Sequence, residues 1–192
     1  MEKIEVRDGW IMLDSHFYSE DESKLIFEQL SEMPTWEQGT VKIFGKQFAT
    51  PRLESFHAED GLSYVYSGQR MRSHPFNETL DRIRTALFQK TGFMFNSVLC
   101  NLYRDGNDSN GWHADNEPEL GKDPIIASIS FGETRRFDLK HEQTGEKLSF
   151  KLSTGSLLIM GGSLQHHWKH QITKSKKITK PRINLTFRNI VY

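Results

Sequence analysis

Cysteine occurs once in 192 residues, as Cys100, which excludes an internal disulfide. It lies in the apolar run Val98-Leu99-Cys100, where a buried, inert thiol is the default. A reducing, cytoplasmic setting follows, or a nuclear one for a eukaryotic source. Net charge is also lacking: 25 Lys and Arg stand against 25 Asp and Glu. Most nucleic-acid-binding domains are basic, so this balance argues against a large phosphate footprint while leaving room for a local one. No apolar stretch approaches the roughly 18 residues a membrane-spanning helix needs. The segment Met1 to Asp8 is charged and has no apolar signal core. Internal repeats and low-complexity segments are absent. With 36% hydrophobic and 26% charged residues, the chain reads as one soluble globular domain of ordinary size, expected to be a monomer with no membrane partner.

The first half carries two helix patterns. Trp10 to Leu13 is a short apolar run of strand type. Ser19-Glu20-Asp21-Glu22-Ser23 then offers a polar cap and acidic first-turn residues. Leu25, Ile26, Leu30 and Met33 recur at helical spacing and are expected in the core, until Pro34 stops the helix. Residues 40–75 alternate short β-like pieces with turn residues. Asn77 opens a second helix with Leu80, Ile83, Leu87 and Phe88 on one face, and Gly92 ends it. From residue 93 onward the pattern is strands: Phe93–Tyr103, Ile125–Phe131, Arg135–Lys140, Lys147–Leu152, Ser156–Met160 and Arg182–Val191. Helices followed by a run of strands predict a mainly β fold with flanking helices, the helices backing a β-sandwich.

The residues with chemistry fall in three places. His113-Ala114-Asp115 forms a His-x-Asp pair, and His166-His167-Trp168-Lys169-His170 lies far downstream. Two imidazoles and one carboxylate can occupy one face of an iron(II) ion and leave adjacent positions open. Spacing does not choose among His166, His167 and His170. The third place is Arg182-Ile183-Asn184-Leu185-Thr186-Phe187-Arg188. In a strand, alternate residues share a face, so Arg182, Asn184, Thr186 and Arg188 point one way while Ile183, Leu185 and Phe187 pack behind them. Guanidinium grips carboxylate through paired, charge-assisted hydrogen bonds, so two inward arginines beside iron fit a dicarboxylic cosubstrate. The competing placement is a half-exposed edge strand with ordinary surface arginines.

The order His113-x-Asp115, His170, Arg182-x-Asn184-x-x-x-Arg188 resembles the AlkB family of iron(II)- and 2-oxoglutarate-dependent dioxygenases. Asn101-Leu102-Tyr103, Pro124 to Gly132 and Gly155 to Met160 agree with it. Ile43-Phe44-Gly45-Lys46, Pro51-Arg52 and Gly61 to Gly68 resemble the members that repair duplex DNA. The likeness runs from Phe44 to Ile190. It implies a double-stranded β-helix, a jelly roll, with an N-terminal nucleotide-recognition region packed on it. Residues 1–92 would supply the helices and the nucleotide-recognition lid, and 93–192 the catalytic core.

The same resemblance implies the site. The metal ligand lies twelve residues before the first arginine, which selects His170 to join His113 and Asp115. Asn101, Tyr103, Arg182, Asn184 and Arg188 would surround 2-oxoglutarate, with Arg182 on its distal carboxylate and Arg188 and Asn101 nearer the iron-chelating one. Fe(II), 2-oxoglutarate and O2 are then the implied cofactors. The implied reaction removes N-methyl groups from N1-methyladenine and N3-methylcytosine in DNA, with formaldehyde, succinate and CO2 released. RNA, a protein side chain or a small molecule are the alternative substrates.

A base must leave the stack to reach such a centre. Tyr66 would stack on it opposite His113, Tyr64 and Arg52 would contact the substrate nearby, and Glu117 would favour cationic bases. Phe44 would wedge into the gap left in the duplex, the competing placement being packing against Phe48 and the first helix.

Overall fold

The computed structural model describes residues 1–43, 46–62, 65–66 and 69–191, and of these all side chains except those at 42, 43, 65, 66, 69 and 70. The chain opens with a hairpin of β1 (Glu2–Val6) and β2 (Gly9–Asp14). Helix α1 (Glu20–Ser31) follows. Ser19 Oγ accepts from the Glu22 N–H at 3.3 Å while the Glu22 carboxylate accepts from the Ser19 N–H at 2.9 Å. This reciprocal cap satisfies two donors that a helix start otherwise leaves open. Next come β3 (Thr40–Ile43), β4 (Lys46–Ala49), β5 (Leu53–Ala58), β6 (Val65–Tyr66), β7 (Gln69–Arg70) and β8 (Ser73–His74). Helix α2 (Glu78–Thr91) is capped by Asn77 and closed by Gly92 at φ 74°, a left-handed turn that suits glycine.

The second half is strand after strand. It comprises β9 (Ser97–Tyr103), β10 (Asn110–His113), β11 (Ile126–Gly132), β12 (Arg135–His141), β13 (Lys147–Leu152) and β14 (Ser156–Gly161). The short helix α3 (Leu164–His167), then β15 (Trp168–Ile172) and β16 (Arg182–Arg188), complete it. The order in the larger sheet is β1-β2-β14-β11-β16-β9-β5-β8, and in the smaller β10-β15-β12-β13. Strands β1, β2, β5 and β8, all from the first 92 residues, therefore extend the larger sheet on both flanks.

Two apolar layers hold these elements together. One fills the space between the sheets, with Ile11, Phe56, Leu99 and Leu158 from the larger meeting Phe137, Leu139, Trp168 and Ile172 from the smaller. The other lies on the far side of the larger sheet. There Ile26, Leu30, Leu80, Ile83 and Leu87 of the helices cover Ile129, Leu157, Ile183, Leu185 and Phe187. Helix layer, large sheet and small sheet make the helix-backed sandwich that the strand pattern predicts, in the jelly-roll form that the resemblance implies. Cys100 is buried in the helix-facing layer, and burial pushes its thiol pKa well up.

Two core expectations are corrected. Leu25 is 55% and Phe88 49% exposed. Each precedes or follows a buried residue, Ile26 or Leu87, and one helical step turns a side chain about 100° away from the core-facing stripe. Among the described residues no helix is long and apolar enough to cross a membrane.

Candidate active site

The open side of the inter-sheet space is lined by polar residues. β10 pairs with β15 so that His113 lies directly opposite His170, and the two rings meet edge to face at 4.2 Å. Asp115 follows just beyond β10. Gln165 of α3 fixes it there, its Oε1 accepting the Asp115 N–H at 2.9 Å. One ligand-type atom each from His113, Asp115 and His170 lies within 4.8 Å of the others. His113 Nδ1 is 2.7 Å from the Gly111 carbonyl, an acceptor only, so the proton is on Nδ1 and Nε2 keeps a lone pair. That Nε2 is 3.9 Å from Asp115 Oδ1. Asp115 Oδ1 itself is buried without a hydrogen-bond partner among the described residues. Buried polar atoms rarely go unpaired, and a cation shared with the two histidines would satisfy it.

The electrostatics agree with a metal centre. Burial pushes the His170 imidazole down to about 3, with the neighbouring His113 adding to it and Asp115 opposing. Burial likewise lowers His113, against the pull of Asp115. Burial alone would raise the Asp115 carboxyl, yet Arg188, His170 and His113 together hold it below its ordinary value. At neutral pH the site therefore presents two neutral imidazoles and a carboxylate, the protonation states a divalent cation needs.

A basic wall stands beside this cluster. β16 lies between β9 and β11, with Arg182 opposite Tyr103, Asn184 opposite Asn101, and Ser130 and Ser128 on the other side. Arg182, Asn184, Thr186 and Arg188 all line the cavity that holds the two histidines and Asp115. The opposite row packs under the helices, so the strand alternation read from the sequence holds. Arg182 is 1% exposed. Its Nη2 donates to Ser130 Oγ at 2.9 Å and its guanidinium carbon lies 5.3 Å from the centre of the Tyr103 ring. Its Nε and Nη1 have no hydrogen-bond partner among the described residues. Burial lowers its pKa to about 10, so it stays cationic. A buried cation with unpaired N–H groups is costly, and an anionic ligand in the cavity would relieve that cost. A carboxylate fits those donors.

Arg188 reaches the metal-ligand cluster from the end of the same strand. Its Nη2 donates to Asp115 Oδ2 at 2.8 Å, so it braces a metal-ligand side chain. Asn184 Nδ2 donates to Ser128 Oγ at 2.8 Å and to the Ile129 carbonyl at 3.0 Å, which ties its amide to β11. Asn101 Oδ1 accepts from Arg52 Nε at 2.8 Å, and Arg52 pairs with Glu54. Arg52 is buried, 3% exposed, behind Asn101. Glu117 heads a short 3-10 turn, Pro118–Leu120, and is partly buried. Phe44 and Tyr64 lie outside the described residues, as does the side chain of Tyr66 in β6. Phe48, the proposed packing neighbour of Phe44, is 49% exposed. His166 is exposed and 3.4 Å from Asp123, away from the cluster.

Sequence reasoning missed four contributors. Ser128 and Ser130 position Asn184 and Arg182, and their alternation with Ala127, Ile129 and Phe131 was the available signal. Phe137, whose ring is 5.2 Å from that of His170, and Gln165 carry no local signal. Their roles arise from strand pairing and from the distant short helix α3.

A family model described as the 2OG-Fe(II) oxygenase superfamily matches residues 11–188. The chain belongs to that superfamily. Among named relatives, human alpha-ketoglutarate-dependent dioxygenase alkB homolog 3 is 39% identical over 184 residues, covering 91% of this chain and 64% of that protein. Mouse DNA oxidative demethylase ALKBH2 is 36% identical over 185 residues, covering 91% of this chain and 77% of that protein. These place the chain in the AlkB family, although it spans a little under two thirds of the bovine and human alkB homolog 3 proteins. The solved structure of OsALKBH1 matches with a TM-score of 0.59 over 98% of this chain and 100% of that one, at 18% identity, a likeness of fold. Membership implies Fe(II), 2-oxoglutarate and O2 as the cofactors of the superfamily, and the two halves of the cavity fit a cation and a carboxylate.

Proposed function

We propose that the chain is an oxidative demethylase of N-alkylated bases in DNA, acting on N1-methyladenine and N3-methylcytosine with release of formaldehyde, succinate and CO2. The observation that carries the reading is the shared cavity. A buried guanidinium with unpaired N–H groups lines it together with His113, Asp115 and His170. Iron held by those three side chains would supply O2 activation. The other roles belong to the chain. Arg182, fixed by Ser130 and backed by Tyr103, binds the distal carboxylate of 2-oxoglutarate. Asn184 and Asn101 shape the wall, with Arg52 acting through Asn101. Arg188 keeps Asp115 ionised and oriented.

The base-binding side follows the AlkB pattern. Phe44, Tyr64 and Tyr66 are assigned to the extruded base and the gap it leaves, residues 1–92 supplying the helices and the recognition lid and 93–192 the catalytic core. Asp115 and Glu117 make the pocket negative, which favours cationic bases over neutral ones. The names of the ALKBH2 relatives, DNA oxidative demethylases, support DNA as the substrate. The test is 2-oxoglutarate-dependent formaldehyde release from a panel of methylated oligonucleotides, DNA and RNA, single- and double-stranded. Release from methylated DNA is expected. Turnover of 2-oxoglutarate with no formaldehyde from any DNA would overturn the reading, and release from RNA alone would reassign the substrate.

A further inference from the structure

Trp112 immediately precedes the metal-ligand histidine, yet it serves neither the core nor the cavity. Successive strand residues face opposite ways, and Trp112 is 43% exposed. Trp168 is buried, and Trp10 and Trp36 are partly buried against the helix-side layer. Among the described residues strand β10 is an outermost strand of the smaller sheet, so the indole stands at the rim of the active-site mouth. A single exposed tryptophan is ordinary. Its neighbours are not. Trp112 borders a surface cleft with Arg136, Asp138, Lys147, Ser149 and Gln171. Gln171 also lines the catalytic cavity, so one side chain separates the cleft from the metal-ligand cluster.

The cleft is built and charged. Asp138 accepts Arg136 Nε at 3.1 Å and Nη2 at 3.0 Å, and Ser149 Oγ donates to the other Asp138 oxygen at 2.7 Å. Arg136 is thereby held as a flat cation whose side chain is 61% exposed. Along β12 and β13 the outward residues are Arg136, Asp138, Lys140, Lys147, Ser149 and Lys151. Four cations face one carboxylate there, in a chain with no net charge. An aromatic face beside planar and point cations suits a chain that offers one π-face and one phosphate per residue. A duplex keeps its bases stacked inside and offers the indole nothing. An apolar protein partner gains nothing from four cations.

We propose that Trp112 and Arg136 form a subsite for single-stranded DNA flanking the nucleotide in the active site, a base stacking on the indole and its phosphate pairing with the guanidinium. The subsite rests on the demethylase reading and adds a path for the strand, out of the pocket and over the β10 edge.

The test compares wild type, Trp112→Ala, Trp112→Phe and Arg136→Gln, each loaded with iron and 2-oxoglutarate without oxygen. The probe is a labelled single-stranded 12-mer carrying one N3-methylcytosine, followed by anisotropy. Trp112→Ala should weaken binding about tenfold, the scale of one lost base stack, and Trp112→Phe should restore most of it. Arg136→Gln should weaken binding and flatten its salt dependence. The same lesion as a mononucleotide should bind all four proteins alike. A second reading needs no variant: the 12-mer should shield wild-type tryptophan fluorescence from acrylamide, because the exposed indole becomes covered. Equal affinity of Trp112→Ala and wild type for the 12-mer, with unaltered acrylamide quenching, would overturn the subsite while leaving the demethylase reading intact. Failure of wild type to bind or demethylate the 12-mer would overturn both.

Discussion

Replacing Arg182 by methionine sets two effects against each other. The substitution removes a buried cation whose Nε and Nη1 lack partners, so the ligand-free protein should melt no lower than wild type, since apolar replacements of buried charges are often neutral or stabilising. Affinity for 2-oxoglutarate should fall by about 100-fold, the loss of a charge-assisted pair of bonds, and lysine should restore only part of it. Calorimetric titration and thermal melting check both arms; unchanged 2-oxoglutarate affinity would remove Arg182 from the binding wall. Asp115→Asn should behave oppositely. It breaks a fully buried ion pair with Arg188, at a cost of about 3–5 kcal/mol, visible as a lower denaturation midpoint in metal-free protein. A third pair separates the histidines. His170→Ala should abolish tight metal binding, while His166→Ala, paired at the surface with Asp123, should retain it; the reverse result would move the ligand. At this scale the sequence was informative where chemistry alternates along one strand, as in Arg182 to Arg188. It was silent on Gln165, which reaches Asp115 from 50 residues away.

Among the elements, the connection from β15 to β16 is tied down by one glycine. Gly106 N–H donates to the Ile178 carbonyl at 2.9 Å, and the Ser175 N–H donates to the Gly106 carbonyl at 2.8 Å. A Cβ at position 106 would meet the Ser175 carbonyl oxygen well inside contact distance, at 1.8 Å. Gly106→Ala should therefore detach the segment holding Lys174, Lys176 and Lys177. Limited trypsin digestion should cut there first, and wild-type resistance in the variant would show that the clasp is not needed. The helices were the most legible elements, because their caps Ser19, Asn77 and Gly92 are written locally. β10 and β15 were not read as strands. β10 is four residues long with an irregular register, and β15 alternates Trp168, His170 and Ile172 with Lys169 and Gln171 over only five residues, directly after the short helix α3. β10 exists because it pairs with β15, and β15 because it lies between β10 and β12.

For the whole molecule, His57, His113 and His170 set the response to acid. Burial lowers His57, His113 and His170. His57 is held by the Pro75 carbonyl at 2.7 Å and Ser55 at 2.9 Å. A histidine whose folded pKa lies below its unfolded value of about 6.5 binds fewer protons when folded. Its stabilising contribution is complete above that value and is lost as pH falls toward the folded pKa, about 3 for His170. For His170 the loss is about 1.4 kcal/mol per pH unit in that window, and His57 and His113 add to it in the same direction. Metal-free protein should thus lose melting temperature steeply between pH 6.5 and 5, and a flat profile would mean that the rings are hydrated in the fold.

The pairing of His113 with His170 has one more consequence. Among the described residues β10 is an outermost strand of its sheet and only four residues long, and such strands fray. A cation gripped by both histidines is a rivet through that edge. Iron occupancy should then be legible in the backbone itself: amides of residues 110–113 should exchange with deuterated water slowly in loaded protein and quickly in stripped protein, while β16, buried at the centre of its sheet, keeps one rate throughout.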